Sequence, residues 1–253
     1  MSNELILAIS GNDIFSGGGL HADLATYTTN KQHGFVAVTC LTAMTEHGFE
    51  VIPVDPTTFA QQLNSLKDVP FSAIKLGLLP NVEVADLALD YVKAHADIPV
   101  VLDPVLVCKE SHDVEVSALR DELIKFFPYA TIITPNLPEA EILTQSQIQS
   151  LDDMKEVARK LHGLGAANVV VKGGNRLNKE KAIDVFYDGQ DFTIFEEPVL
   201  EKNNTGAGCT FASSISSQLV KGKSPLEAVK ASKDFVFQAI QHSDQYGVVQ
   251  YDI

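Results

Sequence analysis

Short apolar runs alternate with stretches of helical periodicity along the whole chain. Residues 4–10 carry Leu5, Ile6, Leu7, Ala8 and Ile9 behind a single acid, the pattern of a strand buried on both faces. The run breaks at Gly11-Asn12-Asp13 and again at Ser16-Gly17-Gly18-Gly19, and helical spacing follows over residues 20–29. Further strands are predicted over 35–41, 49–54, 73–80 (strand, then turn), 99–102, 130–134 and 168–171. Asp188-Gly189, between apolar segments 182–187 and 192–195, is a hairpin signal. Helices are predicted over 56–66, 82–94, 119–127, 151–164, 206–220 and 225–242, and a shorter one opens at Pro135-Asn136-Leu137-Pro138-Glu139 and runs to Leu143. Residues 110–114 are polar and are expected to form a mobile flap. Strand and helix alternate without linker, repeat or low-complexity tract. The expectation is one α/β domain over residues 1–253, a mostly parallel sheet sandwiched by helices.

Composition narrows what such a domain does. At 253 residues and 45% hydrophobic positions, the chain has enough material for an ordinary packed core. Its net charge of −14 disfavours nucleic acid and anionic membrane as partners, so any bound phosphate has to be held by local dipoles, a few cations or a metal. No apolar run reaches the roughly 18 residues of a membrane span, and the expected location is the cytoplasm. Cys40, Cys108 and Cys209 lie far apart and are expected to be reduced thiols, and the seven histidines show no metal-ligand spacing.

Candidate chemistry collects where strands end. Gly11 to Asp13, Gly77, Asp103, Asn136 with Glu139, Lys172-Gly173-Gly174 and the turn Asn203-Asn204-Thr205-Gly206-Ala207-Gly208-Cys209 would share one edge of a parallel sheet. Glycines flanking Ala207 at a helix start allow several N–H groups to point at one anion, and a thiol in that turn is expected to have a lowered pKa. The same residues also fit a flexible loop entering a structural helix, and Asp103-Pro104 fits a plain turn. Carboxylates with an asparagine suit Mg²⁺, and Lys172 could reach phosphate oxygens. No Walker or protein-kinase motif is present, so the residues alone reach as far as a phosphate-handling α/β enzyme.

Four motifs then carry a resemblance: Ser10 to Asp13 with Ser16 to Thr26, Ile133-Thr134-Pro135-Asn136-Leu137-Pro138-Glu139-Ala140, Lys172-Gly173-Gly174, and Gly206-Ala207-Gly208-Cys209-Thr210. In order and over nearly the whole chain, they resemble the ribokinase-like superfamily. The branch is the one shared by hydroxymethylpyrimidine (phosphate) kinases and the pyridoxal kinases of Gram-positive bacteria. The resemblance implies a three-layer α/β/α fold and an ATP- and Mg²⁺-dependent kinase, with K⁺ as a further candidate ion and a homodimer as the expected assembly. It implies that Gly206, Ala207 and Gly208 form an anion hole and that Cys209 is the catalytic base, with packing as the alternative role of that thiol. It places Lys172, Gly173, Gly174, Asp184 and Gly208 at ATP, Asp103, Asn136 and Glu139 at the metal, and Gly11, Asn12, Asp13, Met44, Gly77 and Cys108 at the acceptor. Cys108 is either an aldehyde-capturing thiol or a half-buried lid residue.

Met44 stands where dedicated pyrimidine kinases of the branch have a hydrogen-bonding glutamine, which favours pyridoxal. Asn12, Ile14, Phe15 and Thr205 depart from the branch pattern, the first three of them beside the expected acceptor pocket. The expected reaction is phosphorylation of the 5′-hydroxymethyl of pyridoxal, pyridoxine or pyridoxamine. The alternatives are hydroxymethylpyrimidine or its phosphate as acceptor and, more remotely, a non-catalytic binding protein.

Overall fold

The computed structural model describes residues 4–106 and 113–250. Cys108 and residues 110–112 of the predicted flap lie outside them. Strands β1 (Leu5–Asn12), β2 (His33–Thr45), β3 (Gly48–Pro53), β4 (Ala73–Leu76), β5 (Val100–Leu102), β6 (Ile132–Ile133), β7 (Val169–Lys172), β8 (Lys181–Tyr187) and β9 (Phe192–Pro198) form one sheet. Its order is β3-β2-β1-β4-β5-β6-β7-β8-β9. The six middle strands are parallel, while β3 at one edge and β8 and β9 at the other pair antiparallel.

Helices α1 (Gly19–Thr29), α2 (Pro56–Ser65), α3 (Val82–Lys93), α4 (Asp113–Ile124), α5 (Leu137–Thr144), α6 (Leu151–Gly163), α7 (Ala207–Val220) and α8 (Pro225–Gln241) cover both faces. The sheet's two-residue period divides the core: Leu7 and Ile9 join the large cluster beneath α2 to α6, while Ile6 and Ala8 face the side of α1 and α7. The three-layer architecture expected from the resemblance is the observed one.

Three segments differ from the sequence expectation. Strand β2 runs on to Thr45, because residues 42–45 continue into a hairpin with β3. Helix α4 starts at Asp113, within the predicted flap, and ends at Ile124, where the expected helix ran to 127; Phe127–Tyr129 instead form a short 3₁₀ turn around Pro128. Strand β7 extends to Lys172, so that residue ends a strand whose neighbour's end carries Asn136.

Strand order reverses at β1, whose neighbours β2 and β4 lie on opposite sides of it. In open parallel sheets the crevice beyond the strands' carboxyl ends at such a point is where ligands bind. Gly11 and Gly77 end β1 and β4 there.

Candidate active site

Gly206 is the hinge of the site. It adopts φ +83°, a left-handed conformation that glycine tolerates, and a side chain there would collide with the Gly17 carbonyl. The two glycine loops therefore meet backbone to backbone, and α7 starts at Ala207 directly above the sheet edge. The Ala207 N–H donates to the Asn204 carbonyl at 3.0 Å and the Thr210 N–H to that of Gly206 at 2.9 Å. In the first turn this leaves the amides of Gly208 and Cys209 directed outward at the positive end of the helix. Of the three residues expected to form an anion hole, Gly206, Ala207 and Gly208, the Ala207 amide is thus already engaged.

A charged pair faces that turn. A side chain on Gly208 would begin 3.3 Å from Lys172 Nζ and 3.7 Å from Asp103 Oδ2. Lys172 Nζ donates to Asp103 Oδ1 at 2.8 Å, and the Thr134 hydroxyl donates to the same oxygen at 3.1 Å. Burial pulls the Lys172 ammonium down, yet Asp103 and Glu139 together outweigh it and hold its pKa above the ordinary value.

Asn136 and Glu139 form a capping box on α5: Asn136 Oδ1 accepts the Glu139 N–H at 2.9 Å, and Glu139 Oε2 accepts the Asn136 N–H at 2.8 Å. Burial pushes the Glu139 carboxyl up to about 7, with Lys172 opposing and Asp103 adding to the rise. Two carboxylates that repel each other across one lysine fit a divalent cation with oxygen ligands. Among the described residues no group of three or more histidine, cysteine or acidic side chains forms a metal cluster.

A cleft of about 650 Å³ runs from Asn136 past Lys172, Gly173 and Gly174 to Gly208 and the face of α8. Asp184 lines it but is tied up: Oδ1 accepts the Gly173 N–H at 2.9 Å and Oδ2 accepts Lys233 Nζ at 2.6 Å. It thereby fixes the Gly173 turn and the Lys233 ammonium at the cleft wall.

On the acceptor side, a side chain on Gly18 would begin 3.8 Å from Cys209 Sγ and 3.7 Å from Asp13 Oδ2. Asp13 staples its loop by accepting the N–H groups of Phe15 at 3.0 Å and Gly18 at 2.9 Å. Burial pushes the Cys209 thiol up, opposed first by Lys75 and more weakly by the Gly19 N–H, with Asp23 and Asp103 adding to the rise. The lowered thiol expected from its helix-start position is overturned, because desolvation outweighs that position.

Gly11 and Gly77 face protein more than ligand: a side chain on Gly11 would strike Cys40 Sγ, and one on Gly77 would begin 2.8 Å from Ser10 Oγ and 2.9 Å from Lys75 Nζ. Asn12 ends β1 half-buried after a register shift. Met44 is 61% exposed and shares a strand face with Thr42, whose hydroxyl accepts the Ile14 N–H at 2.9 Å.

A pair beneath this floor was not foreseen from the sequence. Lys75 Nζ donates to Asp23 Oδ1 at 2.8 Å with both side chains fully buried, and Ser213 from α7 donates to the same oxygen at 2.5 Å. A lysine inside the four-residue buried strand Ala73-Ile74-Lys75-Leu76 was the available signal. Lys233 was missed too, since nothing local marks it.

Known proteins match this chain over most of its length. The sequence profile of a family described as phosphomethylpyrimidine kinase matches residues 13–252. The chain belongs to that family. A pyridoxine kinase from Bacillus subtilis (strain 168) is 39% identical over 253 residues, covering 96% of this chain and 92% of that one. A hydroxymethylpyrimidine/phosphomethylpyrimidine kinase from Aquifex aeolicus (strain VF5) is 35% identical over 250 residues, covering 96% of each. The solved pyridoxal kinase from Staphylococcus aureus in complex with AMP-PCP superposes with a TM-score of 0.92 at 34% identity, covering 99% of this chain and 94% of that one. Family and ribokinase-like fold are those expected from the four motifs.

Proposed function

We propose that this protein is an ATP-dependent kinase that phosphorylates the 5′-hydroxymethyl group of pyridoxal and its vitamers, with residues 1–253 acting as one catalytic domain. The observation that carries the reading is the single point beside Gly208 where Lys172 Nζ, Asp103 Oδ2 and the open start of α7 converge. Phosphoryl transfer is accelerated almost wholly by positioning and by charge placed around the transferring group.

ATP occupies the cleft lined by Gly173, Gly174 and Lys233, with its terminal phosphate at the amides of Gly208 and Cys209. Lys172 follows the negative charge as it moves to the leaving oxygen, while Asp103 orients its ammonium. Asp103 and Glu139 would hold Mg²⁺, which supplies charge neutralisation on the phosphates. The acceptor alcohol lies at the loop of Asp13 and Gly18, against Cys209. There the thiolate of Cys209 takes the hydroxyl proton. A thiol raised by burial is a stronger base once ionised, so turnover climbs with pH.

Hydroxymethylpyrimidine is the second reading, favoured by the family's description and by the Aquifex relative. Met44 weighs against it, since a thioether cannot pair with an aminopyrimidine edge. The same proposal takes the protein as a cytoplasmic homodimer with K⁺ as a candidate activating ion.

The test is product identification. Incubation with ATP, Mg²⁺ and pyridoxal should release ADP and pyridoxal phosphorylated on its 5′-oxygen, read by phosphorus NMR. Consumption of hydroxymethylpyrimidine alone would install the second reading, and no ADP with any acceptor would leave a binding protein.

A further inference from the structure

The helices whose starts are described begin in two ways. Asp55, Asn81, Asn136, Ser150 and Ser224 cap α2, α3, α5, α6 and α8 with a side-chain acceptor, whereas α1 and α7 begin at Gly18 and Gly206 with no side-chain cap. A cap on α7 would occupy the amides that an anion needs, so the open start follows from the chemistry. It also removes the local device that fixes a helix end.

Both uncapped starts are gripped by a third segment, residues 244–250, which the phosphoryl-transfer chemistry does not use. Asp244 folds it into a tight turn by accepting the N–H groups of Tyr246 at 2.7 Å and Gly247 at 3.1 Å. The Val248 N–H donates to the Thr205 carbonyl at 3.0 Å, and a side chain on Gly17 would strike the Tyr246 carbonyl. Gln250 is 6% exposed, and its Nε2 donates to Thr210 Oγ1 at 2.8 Å inside the first turn of α7. Its carbonyl accepts the hydroxyl of Thr29, the last residue of α1, at 2.9 Å, so one residue ties the end of that helix to the first turn of α7.

We infer that Gln250 is a positioning residue for phosphoryl transfer: through Thr210 it holds the first turn of α7, with the open amides and the Cys209 thiol, in register with the Gly17 loop. This rests on the kinase reading above. The remote anchor replaces the missing cap, because a bond to the Thr210 hydroxyl restrains the turn from behind without covering its amides.

The experiment compares wild type with Gln250→Leu, Thr210→Val and the double variant. Amide hydrogen exchange is read at Ala207 and Thr210, whose N–H groups close this turn. Turnover is read with pyridoxal, ATP and Mg²⁺ well below the melting temperature. Gln250→Leu should speed exchange at both amides and lower kcat by about five- to tenfold, with the KM for ATP within about twofold. Thr210→Val should match it, and the double variant should be no worse than either single one. Unchanged exchange overturns the inference, and so does faster exchange with unchanged kcat, the signature of a merely structural bond. Additive losses in the double variant overturn the route through Thr210. A wild type that phosphorylates no acceptor sinks the kinase reading instead, while the exchange data still decide whether Gln250 holds the turn.

Discussion

Replacing Glu139 with glutamine keeps an oxygen for the Asn136 N–H, bonded at 2.8 Å, and removes a charge that the protein buries at a loss. Burial lifts the folded-state pKa from the ordinary 4.5 to about 7. Between those values the folded chain binds more protons at this site than the unfolded chain, so stability falls as pH rises from 4.5 through 7 and then levels off. At about 1.4 kcal/mol per pH unit, the ionised carboxylate handicaps the fold by about 3 kcal/mol at pH 8. Glu139→Gln should therefore match wild type near pH 4.5 and be more stable by up to about 3 kcal/mol at pH 8, provided that chelator removes divalent metal. Urea denaturation at a series of pH values, with m unchanged, measures the gap. Mg²⁺ should narrow it by neutralising the wild-type carboxylate, and half-maximal turnover of the variant should need at least about tenfold more Mg²⁺. A gap independent of pH, or a variant less stable than wild type at pH 8, would mean that burial does not hold the Glu139 carboxyl protonated.

Lys75→Met leaves Asp23 buried without its cation and should cost about 3–5 kcal/mol in chemical denaturation, with Asp23→Leu in the same chain restoring most of it; a single variant as stable as wild type contradicts the pairing. Cys209→Ala should lower kcat by about 10²- to 10⁴-fold and abolish its rise with pH, and a near wild-type rate would assign the proton to ATP or water.

The repeating part of the fold was legible because buried parallel strands are short apolar runs, and β1, β4 and β5 follow their predicted spans closely. The start of helix α4 was not, because residues 113–118 alternate polar and apolar positions without a helical stripe. Antiparallel pairing at both edges was hidden except where Asp188-Gly189 marked a turn, since strand direction leaves no local trace. The glycine loops, Lys172 and Asp103 could be placed together because a parallel sheet sends every strand end to one edge. Roles that depend on distant partners could not be read in this way. Asp23 meets Ser213 across 190 positions, Gln250 meets Thr210 across 40, and Asp184 meets Lys233 across 49. The thiol's pKa was misjudged for a related reason: its helix position is visible in sequence, and its burial is not.

The most direct measurement is kcat/KM for pyridoxal, pyridoxine, pyridoxamine and hydroxymethylpyrimidine, taken in parallel with saturating ATP and Mg²⁺. The B6 vitamers should be turned over, with hydroxymethylpyrimidine at least about tenfold poorer for want of a partner at Met44. Preference for the pyrimidine, or no ADP from any of the four, would contradict this expectation.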